Sequence, residues 1–310
     1  MAVQSHFFGV GSLVSWAEAG VGAVATQSVV EPAYGPRGLS LMRDGKSAPA
    51  ALQQLLADDS QEPARQVALI DRGGRVAVHT GSRCIRHAGH AVGDQVSAQA
   101  NIMERDSVPA AMVGAYSTAS GAGFAERLLV ALDAAEAEGG DLRGRQSAAL
   151  LVVEPRATGN PPEDRPIDLR VEDHRAPLQE LRRLVSLSRA YRRVDVGDQL
   201  AAAGDVDGSL AEYEAAHRSQ PDSLELAFWH GVALAASGRE GDAAPIMRRA
   251  FEAHAGWIEL LKRLPAAGLF PDDGELIARM IGTRAVSEPV AEAVSAKPPQ
   301  GAAQPPPPAL

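Results

Sequence analysis

The chain has 310 residues, of which 45% are hydrophobic and 22% charged, with a formal net charge of −9. These values describe a folded chain long enough for two domains, and the negative balance argues against nucleic acid or an anionic membrane as a partner. No run reaches the ~20 apolar residues that a membrane-spanning helix needs, and the single cysteine, Cys84, excludes an intrachain disulfide and fits a reducing compartment.

The opening "MAVQSHFFGVGSLVSW" has no basic residue before Arg37, and Gln4, Ser5, His6 and several glycines interrupt its apolar run. It is not built as a secretory signal, so a cytoplasmic location is expected. "GVGAVATQ" then reads as a short strand, and "SAPAALQQLLADD" as a helix with Ser47 at its N-cap. "QVALIDRGGRVAVHTG" reads as a β-hairpin: two Val/Ile-rich runs flank Arg72-Gly73-Gly74, whose glycines permit a tight turn. "VSAQANIM" continues the strands. "FAERLLVALDAAEAEGG" is a helix placing Phe124, Leu128, Leu129 and Leu132 on one face and stopping at Gly139-Gly140. "SAALLVVE" and "IDLRVED" are further strands, and "PLQELRRLVSLSRAYRR" is a long amphipathic helix closing the region at about residue 192. Groups of strands between groups of helices predict an α+β fold.

From about 194 to 283 no strand signal is present, and the sequence repeats. "VGDQLAAAG" at 196–204 matches "HGVALAASG" at 230–238, an offset of 34 residues, and Ala216 and Ala250 keep the same offset. A 34-residue period of paired helices is the tetratricopeptide (TPR) spacing. Gly197 and Gly231 allow close helix approach, Tyr213 and Met247 fill the bulky position of the second helix, and Pro221 ends the first repeat. The region resembles two TPR repeats, which implies a surface for a protein partner; an Ala-rich helical hairpin with fortuitous similarity is the other reading. The stretch 284–310, ending "AKPPQGAAQPPPPAL", predicts an extended, solvated tail.

Three stretches carry candidate chemistry. Cys84, His87 and His90 in "SRCIRHAGH" supply zinc-ligand types. The local set stops at three, and a loop with a buried thiol and hydrogen-bonded histidines accounts for it equally, so no metal or other cofactor is expected. "GGDLRGRQSAALLVV" runs from a glycine-punctuated loop into an apolar strand. Asp141, Arg143 and Arg145 can form a charge network there, with Gln146 and Ser147 at the strand's mouth, where sites are commonly built; a helix-stop turn with Asp–Arg pairs is the alternative. Finally, Ser5, His6, Gln27 and Asn101 are polar residues in strand-like runs. Ser5 and His6 are neighbours pointing to opposite faces of a strand, so they form no dyad with each other. An amide such as Asn101 can hold an oxyanion if it lines a cleft.

Taken together, "VQSHFFGVGSLVSWAEAGVGAVATQ", "PAYGPRGLSLMRDG", "TGSRC…AGH", "QANIM", "GGDLRGRQSAALLVV" and "DLRVEDH" occur in the order and wording of domain of unknown function family 1028. The resemblance covers nearly all of residues 1–190. That family is grouped with the N-terminal nucleophile (Ntn) hydrolases. The resemblance therefore implies a four-layer αββα sandwich, with two antiparallel sheets faced by helices. It also implies amide-bond hydrolysis by the hydroxyl or thiol of a first residue whose own α-amine serves as base. Members begin near "TFSIVARDPATGELGVAVQSHFF", and Met1 stands where they carry valine. This predicts that the strand bearing the nucleophile belongs ahead of position 1, its absence reflecting a start assigned too late, with a real truncation as the other reading, and that the chain beginning at Met1 is inactive.

The expected function is hydrolysis of a C–N amide bond in a small molecule or peptide. Ser5, His6 and Asn101 are the expected catalytic-site residues, and Gln27, Asp141, Arg145, Gln146 and Ser147 the expected substrate-binding ones. The alternative is a non-catalytic scaffold that recruits a protein partner through the TPR-like region. A homo-oligomer is compatible with either.

Overall fold

The computed structural model describes residues 1–282; the expected tail at 284–310 lies outside the described residues. The chain divides into two compact units, one of Met1–Gln199 with Arg218–Gln220, the other of Leu200–His217 with the residues from Pro221 onward. Among the described residues, no helix is long and apolar enough to cross a membrane.

The first unit is mixed α+β. Its elements begin with β1 (Ala2–Ser5), α1 (Gly11–Val14), β2 (Ser15–Glu18), β3 (Gly22–Ser28), α2 (Tyr34–Arg43), α3 (Ala48–Ala57), β4 (Arg65–Asp71) and β5 (Val76–Thr80). They continue with β6 (Gly89–Gly93), β7 (Val96–Ala100), α4 (Val108–Thr118), α5 (Phe124–Ala137), β8 (Ser147–Val152), α6 (Pro161–Asp164), β9 (Ile167–Val171) and α7 (Pro177–Ala202). The strands form a sheet ordered β1-β8-β9, a sheet ordered β2-β3-β4-β5, and a two-stranded ribbon of β6 and β7, with antiparallel pairing throughout.

Strand alternation decides what each sheet covers. On β3 and β4, Val24, Val67 and Leu69 pack with Tyr34, Leu39 and Met42 of α2 and Ala51, Leu52 and Leu55 of α3. The intervening Ala25 and Ala68 turn the other way, onto Val10 and Val14, with Val3 of β1 against the same cluster. On β8 and β9, Ala148, Leu150 and Val171 pack with Leu129 of α5 and Leu181 and Val185 of α7. Each sheet thus buries one face under a helix pair.

The hairpin forms as its composition predicts, with Leu69 opposite Ala77 and Ile70 opposite Val76. Ser47 caps α3, its Oγ accepting from the Ala50 amide at 3.4 Å. Two expectations are corrected. Phe124 leads α5 but is 52% exposed, so the buried stripe of that helix is Leu129 and Leu132, with Leu128 against its edge. In "SRCIRHAGH", read above as a loop, Gly89 and His90 instead begin strand β6, Gly89 pairing with Ala100.

In the second unit, α8 (Val206–Ser219), α9 (Leu224–Ala236), α10 (Glu240–Ala253), α11 (Gly256–Arg263) and α12 (Gly274–Ile281) surround Phe228, Met247, Leu261 and Leu276. The sequence repeat is also a repeat of helix limits. Helix α8 starts at Val206 and α10 at Glu240, the preceding helices end at Ala202 and Ala236, and Gly204 and Gly238 share a left-handed φ of 84°. A Cβ on Gly231 would fall 2.2 Å from Met247 Cγ, so glycine is what lets α9 lie against α10.

Candidate functional site

The site is organised by Gln66, which has no exposed surface. It sits on β4 with Gln27 of β3 opposite on one side and Thr80 of β5 on the other. Its Oε1 accepts from Gln27 Nε2 at 2.8 Å and from Asn101 Nδ2 at 3.0 Å. Its Nε2 donates to Thr80 Oγ1 at 3.0 Å and to the carbonyls of Gly89 (3.0 Å) and Ala100 (2.9 Å). Gly89 and Ala100 face each other across the ribbon, so one buried amide fastens β6 and β7 to the larger sheet and fixes two further amides. A buried amide requires such saturation, because each unmet donor or acceptor costs about 1–3 kcal/mol.

The two fixed amides differ in what remains free. Gln27 Nε2 donates a second time, to the Gln99 carbonyl at 3.3 Å, so both of its protons are engaged. Asn101 Nδ2 donates once, leaving one N–H. Directly after each amide the backbone enters the left-handed region, at Ser28 (φ 67°) and Ile102 (φ 61°). The third such non-glycine among the described residues is Gln95 (φ 54°). For a β-branched residue such as Ile102 this geometry is strained, by roughly 1–3 kcal/mol, and it persists only when neighbours hold it. Here the Ile102 amide donates to the Ile85 carbonyl at 3.3 Å and its carbonyl accepts from Leu142 at 2.9 Å. That second bond, with the Met103–Asp141 bridge, joins Asn101 to the loop after α5.

On this loop Asp141 is nearly buried and makes a paired contact with Arg143. Its Oδ2 accepts from the Arg143 guanidinium at 2.7 Å and from the His6 amide at 3.2 Å, and its Oδ1 accepts from Arg143 Nε at 3.0 Å and the Arg143 amide at 2.9 Å. Burial alone would raise the carboxyl, but the bonds from Arg143 and the His6 amide outweigh it and hold the group below the ordinary carboxylate range. The same guanidinium donates to Ser5 Oγ at 3.4 Å.

These groups border a cavity of about 340 Å³. Its polar wall includes Ser5, Gln27, Asn101, Asp141 and Arg143, and its apolar wall includes Val108, Met112 and Tyr116 of α4 and Leu128 and Leu132 of α5. Ser28, Gln95 and Ile102 also lie on the lining. The remaining expected site residues stand elsewhere. His6 is exposed and contributes its backbone amide to Asp141. Arg145 pairs with Glu136 of α5. Gln146 holds backbone positions, donating to Ser5 and accepting from His174. Ser147, fully buried, donates to the Phe7 carbonyl and accepts from the Val10 amide, pinning the turn after β1. Cys84, His87 and His90 are bonded separately, to the Arg65 carbonyl, the Met103 and Glu104 carbonyls, and Thr80. Among the described residues no three His, Cys, Asp or Glu side chains are grouped to hold a metal ion.

Gln66 escaped the sequence reading because it stands in "RQVALID", where the apolar neighbours mark a core strand. The available signal was a lone amide within that core.

Sheets with helix-covered faces, and a cavity bordered by amides and by a buried carboxylate paired with an exposed guanidinium, describe a mixed α+β domain. The chain belongs to DUF1028, a family of unknown function, whose model matches residues 1–181. It is similar to protein SPO2555 from Silicibacter pomeroyi, a DUF1028 crystal structure. The two are 32% identical with a TM-score of 0.53, over 59% of this chain and 80% of that one. A search of curated proteins found no match.

Proposed function

We propose that the cavity is the chamber of an N-terminal nucleophile amide hydrolase, acting on a C–N bond of a small molecule or peptide. The observation that carries this reading is the wall that unites Asn101, with one free N–H, and the Asp141–Arg143 pair at the end of β1. The helix pairs over the two sheets, with β3, β4 and β1 sharing a cluster between them, support the αββα layering.

In this mechanism a hydroxyl on a free first residue, carried by a strand ahead of β1, attacks the amide carbonyl carbon. Its proton passes to that residue's α-amine, which titrates near pH 8. The remaining N–H of Asn101 donates to the oxyanion. Collapse breaks the C–N bond, and the α-ammonium returns the proton to the departing amine. Water, deprotonated by the same amine, then hydrolyses the acyl ester. Asp141 neutralises Arg143 and orders the rim, with Ser5 beside it.

The test compares the chain starting at Met1 with one carrying TFSIVARDPATGELGV ahead of Ala2, its first threonine free at the N-terminus. The extended protein should release amine from members of an amide panel. Replacing that first threonine by alanine should abolish the release, and Asn101→Ala should slow it about 10²–10³-fold. Absence of turnover across the panel overturns the proposal.

A second reading concerns residues 204–282, where the 34-residue recurrence of helix limits supports a TPR-like pair that recruits a protein partner. Deleting these residues should abolish capture of that partner; unchanged capture rejects the reading.

A further inference from the structure

The helical unit holds a cavity of its own, about 510 Å³, bordered by α8, α9 and α10. Asp207, Leu210 and Glu214 contribute from α8, at a spacing that keeps them on one helix face. His230 and Leu234 of α9 lie about one turn apart, and Pro245 and Ile246 come from α10. Burial gives the order of depth. Leu210, His230 and Leu234 are buried, whereas Asp207, Glu214 and Pro245 are exposed. The base is therefore mostly apolar and the rim mostly polar.

Two groups in this cavity are open to a hydrogen-bond donor. His230 is only 6% exposed, yet it lines the cavity. Its Nδ1 meets His217 Nδ1 at 3.2 Å, leaving Nε2, among the described residues, without a partner in the protein. The second group is backbone. In an unbroken helix the Gly241 carbonyl accepts from the N–H of residue 245, but Pro245 has none, and Gly241 also lines the cavity. The charges on the rim point the same way. Arg239 is turned to Asp242 at 2.8 Å, so that pair cancels, and Asp207 adds a further carboxylate. Burial and then His217 lower the His230 pKa to about 4, so at pH 7 its imidazole is neutral and accepts without repelling a cation.

We infer that this cavity receives an arginine side chain of a partner protein, carried on an apolar segment. A guanidinium presents five N–H donors in a planar fork, to divide among His230 Nε2, the Gly241 carbonyl and the Asp207 carboxylate. It selects the tautomer in which His230 Nδ1 donates to His217 and Nε2 accepts. The methylenes of the side chain lie on Leu210, Leu234 and Ile246. Lysine matches the charge but concentrates three donors at one point. The inference rests on the reading of the helical unit as a recruiting module and names the chemistry it recruits.

The test titrates the full chain with the blocked pentapeptide acetyl-Ala-Leu-Arg-Leu-Ala-amide by calorimetry. The peptide should bind with a submillimolar Kd. Replacing its arginine by citrulline, which keeps the shape and removes the charge, should weaken binding at least tenfold. Asp207→Asn, an exposed change that spares the core, should weaken the arginine peptide about two- to fivefold and leave the citrulline peptide unaffected. His230→Leu should reduce the preference for arginine over citrulline further, with circular dichroism checking that the helices persist. No binding at millimolar peptide overturns the inference, as do equal affinities of the two peptides. Binding of n-butylguanidinium as tightly as the peptide also overturns it, assigning the cavity to a free cation. A failed titration, with partner capture still lost on deletion of residues 204–282, rejects the arginine site alone.

Discussion

Replacing Gln66 by leucine tests the organisation of the site most directly. The side chains are similar in size, so the change leaves little void while removing the hydrogen bonds of two Oε1 lone pairs and two Nε2 protons, the latter shared among Thr80, Gly89 and Ala100. At a net ~1 kcal/mol for each of these four groups the loss approaches 4 kcal/mol. The added apolar burial returns roughly 1–2 kcal/mol, leaving a destabilisation of about 2.5 kcal/mol. Against the 5–15 kcal/mol of a typical domain this is large. For a unit of about 200 residues it lowers Tm by roughly 5–10 °C. Glutamate at the same position keeps an acceptor for Gln27 and Asn101 but presents a carboxylate to Thr80 and the Gly89 and Ala100 carbonyls. Its burial raises the carboxyl's folded pKa, so the fold loses stability as pH rises through that pKa and recovers it on acidification. Urea denaturation of Gln66→Leu and Gln66→Glu between pH 5 and 8 measures both effects. A Gln66→Leu protein within about 0.5 kcal/mol of the parent would refute the reasoning, because the smallest single-bond contribution already reaches that size.

Two predictions concern pH. Asp141 is held below its unfolded value near 3.9, so its contribution is complete above that pH and disappears as pH falls through the folded pKa. Asp141→Asn should lose stability at pH 7 and show a shallower acid decline in thermal melts, and an unchanged acid slope counts against it. In the helical unit, burial and then the neighbouring His217 lower the His230 pKa from 6.5 to about 4. The unfolded chain takes up that proton first, so stability is complete above pH 6.5 and falls as pH drops toward 4. The His230 ring signal, assigned by its loss in His230→Gln, should titrate near pH 4 in proton NMR; a midpoint at 6 or above contradicts this.

Local pattern made some elements legible and concealed others. The hairpin around Arg72-Gly73-Gly74 and the Ser47 cap are short-range devices, written in neighbouring residues. Helix α2 is concealed because "YGPRGLSLMR" carries two glycines and a proline, residues that discourage a helix. Those glycines answer to partners distant in sequence: a Cβ on Gly35 would meet the Trp16 ring at 2.2 Å, and one on Gly38 would touch Val24 at 3.0 Å. The site follows the same division. Gln27 and Asn101 stood out as amides in strand-like runs and Asp141 as a charge in a glycine-punctuated loop, and all three border the cavity. The anchor of the two amides, Gln66, is defined by contacts with β3, β5, β6 and the residue after β7, none of them close in sequence. Ser147 also stood out, but its hydroxyl is committed to the backbone of residues 7 and 10, which only the pairing of β1 with β8 brings near.

The recurrence of Gly204 and Gly238 with one dihedral, at the interval that separates the starts of α8 and α10, has a consequence for the gene as well as the protein. A segment bounded by equivalent points of the two turns enters and leaves the helical path in the same backbone conformation. Duplicating it adds a helix pair while preserving every downstream phase, whereas an insertion of any other length rotates the following helices off their buried stripes. The helical unit can therefore change length in whole cassettes.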